Sequence, residues 1–351
     1  MSEKVLMCGN EAVAEAAIQA GLDAFFGYPI TPQNEIPEYM SRRMPEEGRV
    51  FVQSESEIAA INMVYGAAAT GARAMTSSSS PGISLKQEGI SYLAGSQLPA
   101  VIVNMMRGGP GLGNIEPSQS DYFQATRGGG HGDYYHIALA GNSVQEMADL
   151  MYDAFDLADK YRGPVMVIGD GILAQMIEPV DVFAKKRPPI QTDKSWALGN
   201  LKDRSPNIVN SLFLGDNVLE NHNLRLQAKY QIIRDTEVRF EATDTEDADL
   251  IVVAYGIASR IASSAIRKAR KKGLKVGLFR PITLWPFPAK PIAALAGQGR
   301  KFLAVELSYG QMVEDVRLAV NGASPVDFYG RAGGSVPTVE AVLEKIEENL
   351  K

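Results

Sequence analysis

The sequence predicts an α/β protein, a parallel sheet with helices on both faces followed by a second, smaller α/β unit. Three observations predict it. Short apolar runs alternate with helical patterns through the first half. Several of those runs end in polar or glycine-rich loops. A second strand-turn-helix start lies beyond a stretch rich in proline and lysine.

Val5–Cys8 is the first apolar run and leads through Asn10 and Glu11 to a helical stretch over residues 12–20, stopped by Gly21. Ala24–Gly27 reads as a strand ending in Tyr28 and Pro29. Val50–Gln53 is the next, and residues 58–70 read as a small-residue helix closing at Gly71. Residues 72–76, 100–105 and 164–168 are further strand candidates. From about residue 178 to 202, Pro179, Pro188 and Pro189 with Lys185, Lys186 and Arg187 read as a surface linker. A polar helix follows over residues 217–235. Residues 248–256 open the second unit, and a helix over 257–272 sets Ile261, Ala265 and Ala269 on one face. Strands are expected at 275–279 and 302–306. Lys268, Arg270, Lys271 and Lys272 close the helix, where cations suit the macrodipole. This divides the chain into 1–180, a linker and connecting helix over 181–247, and 248–351.

Bulk properties narrow the function classes. Apolar residues make up 45% and charged residues 22% of 351, a globular balance. A net charge of −6 argues against nucleic acid or anionic lipid as a partner. No apolar stretch is long enough for a membrane span. The start, Met1-Ser2-Glu3-Lys4-Val5, has no basic n-region or apolar core, so a cytoplasmic protein is expected. A single cysteine, Cys8, excludes an intrachain disulfide and a thiolate-held iron–sulfur cluster. His131, His136 and His222 stand in no metal-ligand spacing, so any redox metal is expected in another chain.

Four segments carry candidate chemistry. In Gly27-Tyr28-Pro29-Ile30-Thr31-Pro32, two prolines stiffen a turn that presents the Thr31 hydroxyl after a strand; a rigid loop with a solvent-facing threonine fits as well. In Gln53-Ser54-Glu55-Ser56-Glu57, an acidic residue opens a helix, as a cap or as a functional carboxylate. Ser77-Ser78-Ser79-Ser80-Pro81-Gly82 reads as a loop offering hydroxyls and N–H groups, without the lysine of a nucleotide P-loop. Arg107 follows an apolar strand and precedes a glycine loop, placed to grip a carboxylate or to pair a neighbouring acid. A parallel sheet would bring all four to one edge.

The series GYPITP, QSESEIAAINMVYGAAATGARAMTSSSSPG, the strand ending in Arg107, and SQSDYFQATRGGGHGD resembles the pyrimidine-binding domain of 2-oxoacid:ferredoxin oxidoreductases. The second half, with VAYGIASRIASSAIRKARKKGLKVGLFRPITLWPFP, Glu306-Leu307-Ser308-Tyr309-Gly310-Gln311 and Gly330-Arg331-Ala332-Gly333-Gly334, resembles that family's transketolase C-terminal-like domain. Residues 113–121 and 127–133 look most like its branched-chain, 2-oxoisovalerate members.

The resemblance implies a thiamine-diphosphate-binding fold, the alpha-type subunit of a hetero-oligomer, and a site. Glu57 matches the glutamate that bonds N1′ of the cofactor's aminopyrimidine, favouring the imino tautomer whose exocyclic nitrogen removes the thiazolium C2 proton. Glu55 competes for that role; Glu57 is preferred because it directly precedes the small-residue helix. Thr31 and Arg107 match residues holding the carboxylate and carbonyl of the 2-oxoacid. Pro29, Ile30, Ser78 and Ser79 are expected to line the cofactor pocket. Gly169-Asp170-Gly171 with Asn200 imitates a magnesium-diphosphate motif, but the proline-rich gap argues against it.

Magnesium and diphosphate are therefore expected on a beta-type partner, with gamma-type and ferredoxin-like iron–sulfur subunits completing the complex. Coenzyme A and ferredoxin are the implied co-substrates of an oxidative decarboxylation in anaerobic metabolism. Two further readings stay open. One is the 2-oxoglutarate enzyme, which needs a second cation, with Arg127 as the candidate. The other is a non-catalytic scaffold subunit.

Overall fold

The computed structural model describes residues 4–199 and 204–351. Met1, Ser2, Glu3 and Asn200, named above, lie outside the described residues, as does the end of the expected linker at Lys202.

The first part of the chain runs β1 (Val5–Cys8), α1 (Gly9–Gln19), β2 (Ala24–Gly27), α2 (Glu35–Glu46), β3 (Val50–Gln53), α3 (Glu57–Ala69), β4 (Ala74–Ser78), α4 (Ser80–Gly95) and β5 (Ala100–Met106). It continues α5 (Tyr122–Thr126), β6 (Ile137–Ala140), α6 (Val144–Tyr161), β7 (Pro164–Asp170), α7 (Gly171–Gln175) and β8 (Ile177–Val180). Helix α8 (Val218–Thr236) and β9 (Phe240–Thr243) connect to the second unit. That unit comprises β10 (Leu250–Val253), α9 (Gly256–Lys271), β11 (Val276–Pro281), β12 (Thr283–Trp285) and α10 (Ala289–Gly297). It ends with β13 (Lys301–Glu306), α11 (Met312–Val320), β14 (Val326–Gly330) and α12 (Val339–Leu350).

The large sheet has the order β12-β6-β7-β5-β4-β2-β3, parallel throughout except for β12 against β6. Strands β2, β4, β5, β6 and β7 are buried along their whole length, because helices cover both faces. The second sheet, β14-β13-β10-β11-β9, is parallel apart from its edge strand β9.

Three expectations shift. Glu178 and Pro179, assigned to a linker, lie in β8, which pairs antiparallel with β1. The strand expected at 72–76 runs Ala74–Ser78, so Ser77 and Ser78 are strand residues and Ser79 alone connects to α4. The basic end of α9 is laced to neighbours, with Lys268 on Glu340, Arg270 on Asp247 and Lys272 on Glu347. All three pairs are at the surface, where each adds little.

Side chains bolt the two units together. Gln119 donates from Nε2 to the Tyr255 carbonyl (2.9 Å), and its Oε1 accepts from the Leu307 N–H (3.0 Å). Tyr122 donates to Asp315 at 2.6 Å. In the second unit the buried Glu306 carboxylate accepts from the N–H groups of Gln311, Met312 and Val313, which anchors it at the start of α11. Burial pushes the Glu306 carboxyl up against those hydrogen bonds.

Candidate cofactor and substrate site

The four segments singled out in the sequence follow β2, β3, β4 and β5 at the same edge of the large sheet. The pairings Gly27 with Gln53 and Ser78 with Asn104 keep neighbouring strand ends level. In an open parallel sheet this is the edge where ligands bind.

The turn after β3 separates two glutamates. Ser54 donates to the carbonyls of Gly27 (3.1 Å) and Ser56 (3.0 Å), and Ser56 caps α3 by accepting from the Ala59 N–H (3.2 Å). Glu55 points outward and takes a bond from Ser56, whereas Glu57, the first residue of α3, is only 7% exposed. The Glu57 carboxylate accepts no hydrogen bond from any described residue. Facing it is Gly82 in the first turn of α4. A Cβ there would overlap Ser78 Oγ and come within 2.7 Å of Glu57 Oε1, so the absent side chain is what lets the two helices meet. One helical stretch further on, a Cβ at Gly89 would stand 2.6 Å from Ile61, the same device repeated. The Oγ atoms of Ser78 and Ser79 are buried and without partners among the described residues.

Arg107 closes the other side. It is 7% exposed; Nη1 donates to the Thr31 carbonyl (3.0 Å), Nη2 to the Leu112 carbonyl (2.9 Å), and Nε is buried with no partner. No carboxylate among the described residues pairs with it, so the reading of Arg107 as half of an internal ion pair fails. Thr31 is half-buried, and its Oγ1 accepts from Asn34 (3.1 Å); Pro29 is exposed and Ile30 partly so.

A polar knot holds Arg107 in place. Its N–H donates to Ser80 Oγ (3.0 Å), which donates to Asp121 (2.6 Å); Asn104 Nδ2 donates to the same Asp121 oxygen (2.9 Å). Burial pushes the Asp121 carboxyl up, and the hydrogen bonds from Ser80 and Asn104 oppose this. The glycine loop beyond Arg107 leans on the second unit through Asn114 Nδ2 to the Gly333 carbonyl (3.0 Å). The sequence marks Ser80 only as part of the serine segment and Asp121 only within a motif, without a task for either, and gives no sign of Asn104 or the buried Lys86, which sit inside ordinary strand and helix patterns.

Asp170, the centre of the decoy motif, has both oxygens engaged. Oδ1 accepts from the N–H groups of Ile172 and Leu173 and Oδ2 from that of Ile257, all at 3.1 Å. It caps α7 and α9 together, and burial pushes its carboxyl up to about 6. Among the described residues no group of three or more His, Cys, Asp or Glu is placed to hold a metal, and no helix is long and apolar enough to cross a membrane. Arg127 is bound to Asp315 at 2.9 Å and lies over the Phe123 ring.

An open, buried glutamate at a helix start and an unpaired buried arginine lie at the edge of a doubly covered parallel sheet, the edge at which α/β chains of this class bind ligands. Comparison with known proteins agrees. Residues 15–246 match the family model described as pyruvate flavodoxin/ferredoxin oxidoreductase, thiamine diphosphate-binding, and residues 248–342 match core domain II of pyruvate:ferredoxin oxidoreductase. The chain belongs to the 2-oxoacid:ferredoxin oxidoreductase family, as an alpha-type subunit.

The chain is 54% identical over 340 residues to ketoisovalerate oxidoreductase subunit VorB of Methanothermobacter marburgensis, covering 97% of this chain and 96% of that one. It is 38% identical over 372 residues to 2-oxoglutarate synthase subunit KorA of Methanothermobacter thermautotrophicus, covering 99% of each. Among solved structures, 2-oxoglutarate:ferredoxin oxidoreductase from Magnetococcus marinus, with 2-oxoglutarate, coenzyme A and succinyl-CoA bound, superposes with a TM-score of 0.89 at 28% identity. That match covers all of this chain and 66% of that one.

Proposed function

We propose that this chain activates the cofactor and binds the substrate in an enzyme that oxidatively decarboxylates a branched-chain 2-oxoacid, with coenzyme A and ferredoxin as co-substrates. The observation that carries the reading is Arg107, a buried guanidinium with no carboxylate partner and an idle Nε. An unpaired buried cation is costly, and a substrate carboxylate would satisfy it.

The residues at the sheet edge suit an aminopyrimidine. Glu57 has a free carboxyl, Gly82 leaves room beside it, and the Ser78 and Ser79 hydroxyls lack partners. Thiamine diphosphate, when bound, supplies the nucleophilic carbon and the electron sink. Glu57 holds a proton at the pyrimidine N1′. Pro29 and Ile30 shape the pocket wall, and Thr31 with Arg107 orients the carboxylate and carbonyl of the 2-oxoacid. Residues 1–180 act as the pyrimidine domain, 181–247 as the connection and 248–351 as the transketolase C-terminal-like domain.

Magnesium, the diphosphate grip and the iron–sulfur clusters belong to beta-type, gamma-type and ferredoxin-like partner subunits. The flank of Glu57 supports a covering partner: Ile58 and Leu85 are each 50% exposed and Met63 38%. The setting is the anaerobic cytoplasm. The 2-oxoglutarate reading is weakened because Arg127, the cation it would need, is held by Asp315. The higher identity to the ketoisovalerate relative points the same way.

The test is anaerobic reconstitution with co-purifying partner chains, following coenzyme-A-dependent viologen reduction with 2-oxoisovalerate, pyruvate and 2-oxoglutarate. Fastest turnover on 2-oxoisovalerate is expected. Preference for 2-oxoglutarate would overturn the substrate, and no turnover with any of the three would overturn the function.

A further inference from the structure

The turn that carries Thr31 runs between β2 and α2 without regular structure, and side chains from three other parts of the chain hold its backbone. Gln33 is fully buried. Its Nε2 donates to the Tyr28 carbonyl (3.1 Å) and its backbone N–H to the Ile30 carbonyl (3.0 Å), so the turn is closed on itself. Its Oε1 accepts from Ser77 Oγ (2.5 Å) at the end of β4, and the Ser77 carbonyl accepts from the buried Lys86 of α4 (2.9 Å). The Pro32 carbonyl takes two bonds, from Asn10 Nδ2 in α1 (2.7 Å) and from Gln175 Nε2 in α7 (2.9 Å). The same two amides donate to Glu35 Oε2, at 2.6 and 2.9 Å.

With the Thr31 carbonyl on Arg107, the carbonyls of Tyr28, Ile30, Thr31 and Pro32 are all engaged. The Thr31 hydroxyl is treated differently. Its oxygen accepts from Asn34 (3.1 Å), which leaves the hydroxyl proton to be donated elsewhere. Packing alone does not call for these amides. A buried polar group costs free energy unless it is bonded, and a leucine at position 33 would fill the space without that cost. What an apolar side chain cannot do is fix the path of the backbone from Tyr28 to Pro32.

We infer that Asn10, Gln33 and Gln175 are positioning residues, an amide clamp on the turn that aims the Thr31 hydroxyl at the 2-oxoacid. This rests on the reading of Thr31 given under Proposed function. The clamp also reaches the second unit. Asp170 caps α7 and α9 together, α7 ends in Gln175, and a Cβ on its first residue, Gly171, would stand 3.5 Å from the Pro32 ring. The seating of the second unit is therefore felt at the turn.

The test is steady-state kinetics of the reconstituted complex with the 2-oxoacid it turns over fastest. The decisive readout is KM, which does not depend on how much of a variant is folded. Gln33→Leu fills the same space without the two bonds, and KM is expected to rise about 10-fold, the scale of a small misplacement at a reacting group. Gln175→Ala removes one of the two donors to Pro32 at an exposed position where folding is not at stake, and about a 3-fold rise is expected. Thr31→Val removes the hydroxyl that the clamp aims, so adding Gln33→Leu to it should raise KM no further. A lower melting temperature or kcat with KM unmoved in the variants that fold would overturn the clamp, as would fully additive effects with Thr31→Val. An unchanged KM in Thr31→Val alone would instead overturn the reading of Thr31 beneath it.

Discussion

Arg107 and Thr31 are 76 positions apart, yet the guanidinium of one donates to the backbone carbonyl of the other at 3.0 Å. The arginine is thereby held across the gap between the β2 and β5 loops, with its second nitrogen tied to Leu112 and Nε left free. It is preorganised for one more acceptor.

Arg107→Ala should lower kcat/KM for the 2-oxoacid about 10- to 100-fold, the worth of a charge-assisted hydrogen bond of roughly 1.5–3 kcal/mol. The loss should fall mainly on KM. Arg107→Lys keeps the charge but not the planar fork, so it should recover only part. Steady-state kinetics on the assembled enzyme checks both, and an unchanged KM would remove Arg107 from the substrate.

Glu57→Ala separates a catalytic subunit from a scaffold. Turnover should fall to background while the complex still assembles, measured by viologen reduction beside size-exclusion chromatography. Retained turnover would favour the scaffold.

Gly82→Ala places a methyl group into Ser78 Oγ and against Glu57 Oε1. Overpacking of this kind costs about 1–3 kcal/mol. Both the melting temperature and thiamine diphosphate affinity should drop, whereas alanine at Gly66, which meets nothing within 4 Å, should leave the affinity intact.

Asp170 gives a pH prediction. Its carboxyl titrates near 6 in the folded chain against 3.8 unfolded, so the native state binds the extra proton between those values. Stability from this group is therefore present below about pH 4, falls as pH rises through 6, and is level above, a change on the order of 3 kcal/mol. Asp170→Asn should flatten that part of the Tm–pH curve. It should also lower Tm at neutral pH, because an amide cannot accept from three N–H groups around it. Calorimetry across pH 4–7 checks both.

Much of the site was legible because strand, loop and helix start are local. Gly27–Pro32 and Arg107 each follow an apolar run that is fully buried, Glu57 follows the half-exposed edge strand β3, and parallel pairing does the rest. The hidden parts depend on partners far along the chain. Ser80, Asn104 and Asp121 mean nothing until β4 and β5 are paired. Helix α2 carries Pro37 and Pro45, which obscured its periodicity, although Pro37 falls in the first turn where proline is tolerated. Lys86 looks like a surface lysine in any helix pattern. The serine run was read as a loop, but Ser77 and Ser78 end β4 fully buried, the Ser77 hydroxyl donating to Gln33 and that of Ser78 left without a partner among the described residues.

The strand that completes the large sheet, Thr283–Trp285, comes from the second half of the chain and lies on the outer edge of β6. During synthesis the first half must wait for it. Every other strand of that sheet has been synthesised by residue 170, and more than a hundred further residues must follow before the edge is sealed. Over that interval β6 presents an open row of backbone groups, the kind of edge on which nascent chains stick to one another. A gene split at the linker would release the first half with that edge bare, so the two halves have reason to remain one polypeptide.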